Sequence, residues 1–306
     1  MCGIVGLYLK NRALETQLGE LFVPMLVAMS DRGPDSAGFA VYRNEVHGSD
    51  IKLTLQSGKK TQDWQLLATA LASEFGVSVQ VTQNASSAVL QLSADEATVR
   101  EYLESEHPGV NLMSVGRAIE ILKGTGLPAD ICEQFDLQSM NGTHIIGHTR
   151  MATESDVTTE GSHPFSTGMD LCLVHNGSFS NHNRLREELR ARGIRIETEN
   201  DTEVAAGYLT WRLREGDSLR QALTRALDDL DGFYTLAIGT KDGFAVLRDP
   251  IACKPAVMAE TEDYVAIASE YQSLSHLPGI QQARLWEPEP ALVYVWGEDH
   301  VASKAA

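Results

Sequence analysis

The chain has 306 residues, of which 43% are hydrophobic, and its formal net charge is −17 at pH 7. This length fits one large domain or two ordinary ones, and the apolar fraction is sufficient for a sizeable core. The negative charge argues against a nucleic-acid partner, because proteins that bind phosphate backbones present a basic surface.

No run of about 18 apolar residues is found that could cross a membrane. The start of the chain also lacks a basic stretch followed by an apolar one, so we expect no signal peptide. These features predict a cytoplasmic protein without a membrane partner.

The first part of the chain predicts a strand, a helix and a second strand. Residues 3–9 form an apolar run typical of a buried strand. Apolar residues recur at helical spacing over 14–29, which indicates a helix with one face packed inward. A Gly-Pro-Asp turn at 33–35 ends this pattern, and residues 37–42 predict the next strand.

The segment from about 44 to 140 predicts a small α+β insert with its own core. A helix is expected over 64–75, strands over 77–81 and 88–92, and a helix from a capping box at 93–96 to about 104. Residues 115–122 fit either a helix or a strand–helix pair. The insert is interpreted either as a structural elaboration or oligomer contact, or as a docking surface for a partner subunit.

The pattern after residue 142 is rich in strands, with helices between them. It predicts strands over 143–147, 170–174, 233–239, 244–247, 256–259 and 265–268, and helices over 182–192, 202–214 and 218–230. Hydrophobic patterning alone predicts only a mixed α and β fold.

The cysteines predict no metal or cofactor site. They are Cys2, Cys132, Cys172 and Cys253, and their spacing fits neither a Cys-x-x-Cys pair nor a zinc ligand set. Cys172 lies in an apolar run and is interpreted as a buried, inert thiol.

Removal of Met1 would give Cys2 a free α-amine. A thiol with a pKa near ~8.5 and an α-amine near ~7.7–8.0 are matched for proton transfer at neutral pH.

A series of short motifs follows Cys2 in a fixed order. A single motif would be weak, since an Asn-Gly pair is typical of any turn. Together they resemble class II glutamine amidotransferases, which carry an N-terminal cysteine and belong to the N-terminal-nucleophile hydrolase superfamily. The resemblance covers about 1–43 and 141–296, and it rests on Cys2-Gly3-Ile4-Val5-Gly6, Arg32-Gly33-Pro34-Asp35-Ser36-Ala37-Gly38, His148-Thr149-Arg150, Ser162-His163-Pro164, His175-Asn176-Gly177, Asn200-Asp201-Thr202-Glu203 and Ala268-Ser269-Glu270.

The resemblance implies an α+β fold, the four-layer αββα sandwich of N-terminal-nucleophile hydrolases. We expect one amidotransferase domain over 2–306, interrupted by the insert at about 44–140.

The resemblance also implies the chemistry of glutamine hydrolysis. Cys2 would attack the side-chain amide, while the Asn176 side chain and the Gly177 N–H would form the oxyanion hole. The alternative for Cys2 is an incidental second residue whose methionine stays in place.

The same resemblance assigns the contacts of the amino-acid head group. Arg150 would bind the α-carboxylate of glutamine and Asp201 the α-ammonium group. Asp201 also fits a helix N-cap signature, and the two roles are compatible. Thr153 is expected in the loop that closes over glutamine, where Met151 stands in place of the aromatic residue of many family members.

Three further residues are expected to support the site without touching glutamine. Arg32 and Asp35 would brace the loop around Cys2. His163, like His175, is interpreted as structural support for the site and not as a catalytic group.

The predicted activity is that of a glutaminase subunit that supplies ammonia to a synthase. Residues after 296 are too few for a synthase domain, and no Gly-rich phosphate loop is present, so the acceptor is expected on a separate chain. The chain most resembles the stand-alone amidotransferase subunit of N-methylglutamate synthase and of glutamate-synthase-like complexes. Two alternatives stay open: a non-catalytic scaffold that binds glutamine or glutamate, and a related hydrolase of a different amide.

Overall fold

The computed structural model describes residues 2–58, 62–152 and 157–297. Within these ranges, every predicted segment outside the insert contains the expected type of element. The strands are β1 (Gly3–Leu9), β2 (Ser36–Tyr42), β3 (Asp50–Ser57), β4 (Gln80–Asn84), β5 (Ser87–Ser93), β6 (Val110–Gly116), β7 (Ile119–Thr125), β8 (His144–Arg150), β9 (Phe165–Gly168), β10 (Leu171–Phe179), β11 (Gly232–Thr240), β12 (Gly243–Arg248), β13 (Val257–Glu260), β14 (Tyr264–Ala268), β15 (Arg284–Trp286) and β16 (Tyr294–Gly297).

Along the chain, each described α-helix lies between two strands of the same sheet. A 3-10 helix over Arg12–Gln17 precedes α1, so the helix predicted over 14–29 is α-helical only in its later part. The α-helices are α1 (Leu18–Val27), α2 (Trp64–Phe75), α3 (Glu96–Glu106), α4 (Pro128–Gln134), α5 (His182–Ala191), α6 (Asp201–Arg214) and α7 (Leu219–Asp229). No helix in the described part of the chain is long and apolar enough to cross a bilayer.

The strands form three antiparallel sheets. The first has seven strands in the order β15-β13-β14-β1-β8-β2-β7, and the second has five in the order β16-β12-β11-β10-β9. A third sheet of four strands, β4-β5-β3-β6, lies within the segment predicted to be an insert.

Side-chain alternation explains why the two larger sheets stack on each other. On β1, Val5 and Leu7 pack under α1, whereas Ile4 faces the second sheet. On β10, Leu173 packs under the helices of the second sheet and Val174 faces the first sheet. Because successive side chains of a strand point to opposite faces, both sheets are buried on two sides. The layers therefore run helix, sheet, sheet, helix, which confirms the αββα expectation.

The four-stranded sheet has a separate core that it forms with α2 and α3. Trp64, Leu67 and Leu71 of α2 pack against Leu53 and Leu90 of the sheet. Strand β7 does not belong to this sheet, because it pairs with β2 along its whole length and forms an edge of the seven-stranded sheet. The segment 44–140 thus contains a small sheet with its own core and also elements of the main sandwich.

Several expectations for this segment were wrong in detail. The strand expected over 77–81 is displaced to β4, and α3 begins after Asp95, whose side chain accepts a hydrogen bond from the Thr98 N–H, so Ser93 is not the cap. Residues 115–122 form neither a helix nor a strand–helix pair but the end of β6, a turn and the start of β7. Strand β3 and helix α4 were not predicted.

The Asp170 carboxylate explains the turn between β6 and β7. Although distant in sequence, it accepts hydrogen bonds from the N–H groups of Arg117, Ala118 and Ile119 at 2.8–3.1 Å. A Cβ at Gly116 would lie only 2.2 Å from the Asp170 Oδ1, so the turn requires glycine there. A buried carboxylate that receives several N–H donors holds such a turn strongly.

Replacing this carboxylate tests how far the turn depends on it. We expect Asp170→Ala to lower the free energy of unfolding by about 3 kcal/mol, because buried N–H donors lose a charged acceptor. Asp170→Asn keeps one acceptor oxygen and should give a smaller loss. Urea unfolding measures both, with Asp228→Ala on the exposed surface of α7 as the control. A loss no larger than that of the control would contradict this account of the turn.

Candidate active site

Cys2 lies directly before β1, where the seven-stranded sheet meets the five-stranded sheet. Its backbone carbonyl accepts hydrogen bonds from Asn176 Nδ2 at 3.1 Å and from Arg32 Nε at 3.0 Å. Arg32 also forms an ion pair with Glu270 at 2.6 Å. The structure therefore brings Cys2, Asn176 and Arg32 into direct contact from three distant parts of the chain.

Gly177 follows Asn176 on β10 and has a backbone conformation that only glycine adopts without strain. Its φ is 148°, and an added Cβ would lie 2.0 Å from the carbonyl oxygen of Phe233 on β11. The close approach of the two strands fixes the peptide of Gly177 at this point. The backbone N–H of Gly177, predicted to be an oxyanion donor, is therefore part of a rigid strand.

Arg150 ends β8, the strand beside β1, and its side chain is buried. The first residue of β1 lies opposite Thr149, which places Arg150 beside Cys2. The turn at Gly33 packs closely on this strand end, since a Cβ there would lie 2.4 Å from the carbonyl carbon of Thr149. Asp35 donates its N–H to the Arg150 carbonyl and accepts the Ala152 N–H at 2.8 Å, so it contacts the end of β8, and its bracing of the loop around Cys2 stays a prediction.

Asp201 is the first residue of α6, and the helix cap is a different residue. Asn200 accepts the N–H of Thr202 as the N-cap. The Asp201 carboxylate instead accepts the Phe179 N–H at 3.0 Å and lies 3.8 Å from His175 Nδ1. Asp201 is therefore attached to the end of β10 that carries the candidate oxyanion donors, and its binding of an α-ammonium group stays a prediction.

Three buried histidines lie behind these residues. His163 stacks on His148 with ring centroids 3.9 Å apart, and His148 Nε2 donates to the His175 carbonyl at 3.0 Å. The hydroxyl of Thr202 lies between His175 Nδ1 at 3.0 Å and His163 Nε2 at 3.2 Å. His163 thus makes its contacts inside the protein, and its supporting role stays a prediction.

Burial keeps these imidazoles neutral. It lowers the pKa of His148 to about 3 and that of His175 to about 4, and it holds the pKa of His163 well below its usual value. The positive charge of Arg150 adds to the effect on His148 and His163. The candidate site therefore contains no imidazolium near neutral pH among these three rings.

The remaining predictions concern the loop after β8 and the cysteines. Met151 is 38% exposed, while Thr153 lies outside the described residues. Cys172 is fully buried, and burial raises the pKa of its thiol to about 12, as expected for an inert residue.

A cavity of about 320 Å³ lies apart from Cys2, between α3, β6 and the segment before α6. Several polar side chains of its lining are paired with one another, as in the ion pairs of Arg100 with Glu96 and Glu197 and the hydrogen bond of Asn111 to Glu160. Described residues that line it include none of the candidate nucleophile, oxyanion or head-group contacts. This cavity is therefore separate from the candidate active site.

Sequence reasoning missed Lys123, which supports the segment that carries His163. Its buried ammonium donates to the carbonyl groups of Glu160, Ser162 and Pro164 at 2.7–3.3 Å, and burial lowers its pKa to about 8. Strand β7 was not predicted, so no sequence signal pointed to this residue. Thr202 and Glu270 were also missed as contacts, although both lie within the quoted motifs.

The neutral histidines make the stability of the fold depend on pH. Their folded pKa values lie below the unfolded value of about 6.5, so the unfolded chain binds protons first as the pH falls. Stability is therefore fully present above about pH 6.5 and decreases towards pH 4, by up to about 1.4 kcal/mol per pH unit for each ring.

Urea unfolding at pH 7.5 and pH 5.5 measures this decrease. The exposed-site variant His47→Gln should show the same difference between the two pH values as the wild type. An equal free energy of unfolding at both pH values would contradict burial of neutral histidines.

The known proteins that this chain resembles are glutamine amidotransferases or are described as similar to them. A family model described as a glutamine amidotransferase domain matches residues 148–276. The glutamine amidotransferase-like protein GlxB of Rhizobium meliloti (strain 1021) is 57% identical over 303 residues, which cover 99% of this chain and 100% of that protein. The glutamine–fructose-6-phosphate aminotransferase (isomerizing) of Vibrio parahaemolyticus is 34% identical over 46% of this chain and 23% of that protein.

Among solved structures, the glutamine phosphoribosylpyrophosphate amidotransferase from B. subtilis matches with a TM-score of 0.61 and 20% identity over 97% of this chain. The chain spans about half of that protein, since the match covers 48% of it. This likeness shows the fold, and the full-length match to GlxB shows the family. The chain belongs to the class II glutamine amidotransferases.

Proposed function

We propose that the protein hydrolyses the side-chain amide of glutamine, with Cys2 as the nucleophile, and releases glutamate and ammonia. The observation that carries this proposal is the 3.1 Å hydrogen bond from Asn176 Nδ2 to the Cys2 carbonyl. It places an amide donor from one sheet beside the candidate nucleophile of the other sheet. Gly177, with its fixed peptide, is the next residue along the strand.

In this mechanism the α-amine of Cys2, freed by removal of Met1, takes the thiol proton. The thiolate attacks the amide carbon, and the Asn176 side chain and Gly177 N–H bind the developing oxyanion. The α-ammonium group then protonates the leaving nitrogen, ammonia departs, and a γ-glutamyl thioester remains. Water cleaves the thioester, so glutamate leaves and the thiol is regenerated.

Arg150 and Asp201 would hold the head group of glutamine. A planar guanidinium suits the α-carboxylate, and a carboxylate suits the α-ammonium group. The neutral state of His175, 3.8 Å from Asp201, supports this assignment because it places no second cation beside the ammonium group. Thr153 is proposed as a further contact from the loop over glutamine.

We also propose that a synthase on a separate chain receives the ammonia. Ammonia is largely protonated in neutral water, and the ammonium ion is not nucleophilic, so a protected transfer favours a bound partner. The partners suggested by the sequence resemblance are the synthase subunits of N-methylglutamate synthase or of a glutamate-synthase-like complex. The small four-stranded sheet is the segment that we propose for docking.

Cys2→Ala should abolish glutamine hydrolysis and leave glutamine binding nearly intact, since only the attacking sulfur is lost. Released glutamate and calorimetric binding measure the two effects. Cys253→Ala removes an exposed thiol and is the matched control, with unchanged turnover.

Intact mass after treatment with a glutamine-analogue electrophile should show loss of Met1 and one adduct on Cys2. Retained Met1 without an adduct would favour a non-catalytic scaffold.

Asp201→Asn should raise the KM for glutamine by about 10- to 100-fold with a smaller change in kcat, because one charge-assisted contact to the α-ammonium group is lost. The control is the glutamine analogue that lacks the α-amino group, for which the variant and the wild type should have a similar KM. An equal penalty for both substrates would contradict the role of Asp201.

A further inference from the structure

The hydroxyl of Thr202 joins three separate parts of the candidate site. Thr202 is fully buried in the first turn of α6. Its Oγ1 lies 3.0 Å from His175 Nδ1 on β10 and 3.2 Å from His163 Nε2 in the segment before β9. It also lies 3.4 Å from Oδ1 of Asp201.

The hydrogen-bonding capacity of this hydroxyl limits which nitrogens of the neighbouring imidazoles can carry a proton. A hydroxyl has one hydrogen to donate, and it faces two ring nitrogens and one carboxylate oxygen. If it donates to Asp201, both His163 and His175 must donate their N–H to it. If it donates to one ring, that ring nitrogen must be unprotonated. The tautomers of the two imidazoles are therefore coupled through Thr202.

The same contacts connect the residues that we propose for the two ends of glutamine. Asp201, proposed for the α-ammonium group, precedes Thr202 on α6. Asn176, proposed for the oxyanion, follows His175 on β10. His148 adds a second restraint on this strand by donating to the His175 carbonyl at 3.0 Å. The hydroxyl is thus a second polar contact from α6 to β10, beside the Asp201 carboxylate, which accepts the Phe179 N–H at 3.0 Å.

We propose that Thr202 is a positioning residue whose hydroxyl holds Asp201 and Asn176 in one geometry. The head-group contact and the oxyanion donor then act on the same bound glutamine. This inference rests on the proposed glutaminase function. Thr202 touches no reacting atom in this scheme and acts through His175 and the start of α6.

The test compares Thr202→Val, which removes the hydroxyl at similar volume, with Thr202→Ser, which keeps it. We expect kcat for glutamine hydrolysis to fall about 10- to 100-fold in the valine variant, the size of effect of a misplaced oxyanion donor. The serine variant should stay within about threefold of the wild type, given that its hydroxyl remains. Equal kcat values in all three proteins would overturn the proposal.

A double variant separates positioning from simple packing. If Thr202 acts through Asp201 and Asn176, the losses in kcat/KM of Thr202→Val and Asp201→Asn should combine to less than their product, since coupled residues are non-additive. Losses that multiply would show that Thr202 acts independently of Asp201 and would overturn the proposal. If the valine variant does not fold, Thr202→Ala removes the hydroxyl without adding bulk and takes its place.

A readout without turnover keeps the inference separate from the proposed function. The side-chain NH₂ of Asn176 is bonded to the Cys2 carbonyl, so its hydrogen exchange, followed by NMR, reports how firmly it is held. We expect exchange about fivefold or more faster in Thr202→Val than in the wild type and Thr202→Ser. If the wild type hydrolyses no glutamine, the proposed function fails, and this exchange rate alone decides the inference. Unchanged exchange would overturn it.

Discussion

The packing of two sheets face to face is the constraint on which the rest of the structure depends. Cys2 lies directly before β1 of one sheet and Asn176 lies on β10 of the other, and the hydrogen bond between them joins the two layers where these strands meet. An apolar layer that includes Ile4, Val174 and Phe244 sets the spacing of the sheets. Because protein interiors are close-packed, this layer holds the two candidate groups in a defined relation.

The polar cluster behind the site is compatible with this apolar environment because its imidazoles are neutral and each has one ring nitrogen in a hydrogen bond. Burying a charge costs much more than burying a hydrogen-bonded neutral group. Burial lowers the pKa of His148, His163 and His175, and the Thr202 hydroxyl lies between His163 and His175. The cluster thus stiffens the strand end that carries Asn176 without adding a cation to the site.

Polar contacts join the small four-stranded sheet and its helix α3 to the segments of the main sandwich that precede α6 and β9. Arg100 of α3 reaches Glu197, Arg195 pairs with Glu104, and Asn111 bonds Glu160. The main-sandwich partners lie in the segments that lead to Asp201 and His163, so a change in the small sheet has a physical route to both.

Most strands and helices of the main sandwich could be predicted from the sequence, because local patterns determine them, whereas the roles of the site residues stay predictions. Short apolar runs indicated the main strands, helical spacing indicated α1, and the order of short motifs indicated the family. The turn at 117–118 and the position of β7 could not be predicted, since they depend on Asp170, more than 50 residues away. The Arg32–Glu270 pair and the bridging by Thr202 likewise exist only after the sheets pack. Sequence alone determined which groups are available for the chemistry, and tertiary structure decided which of them touch, because contacts across a core join residues that no local pattern connects.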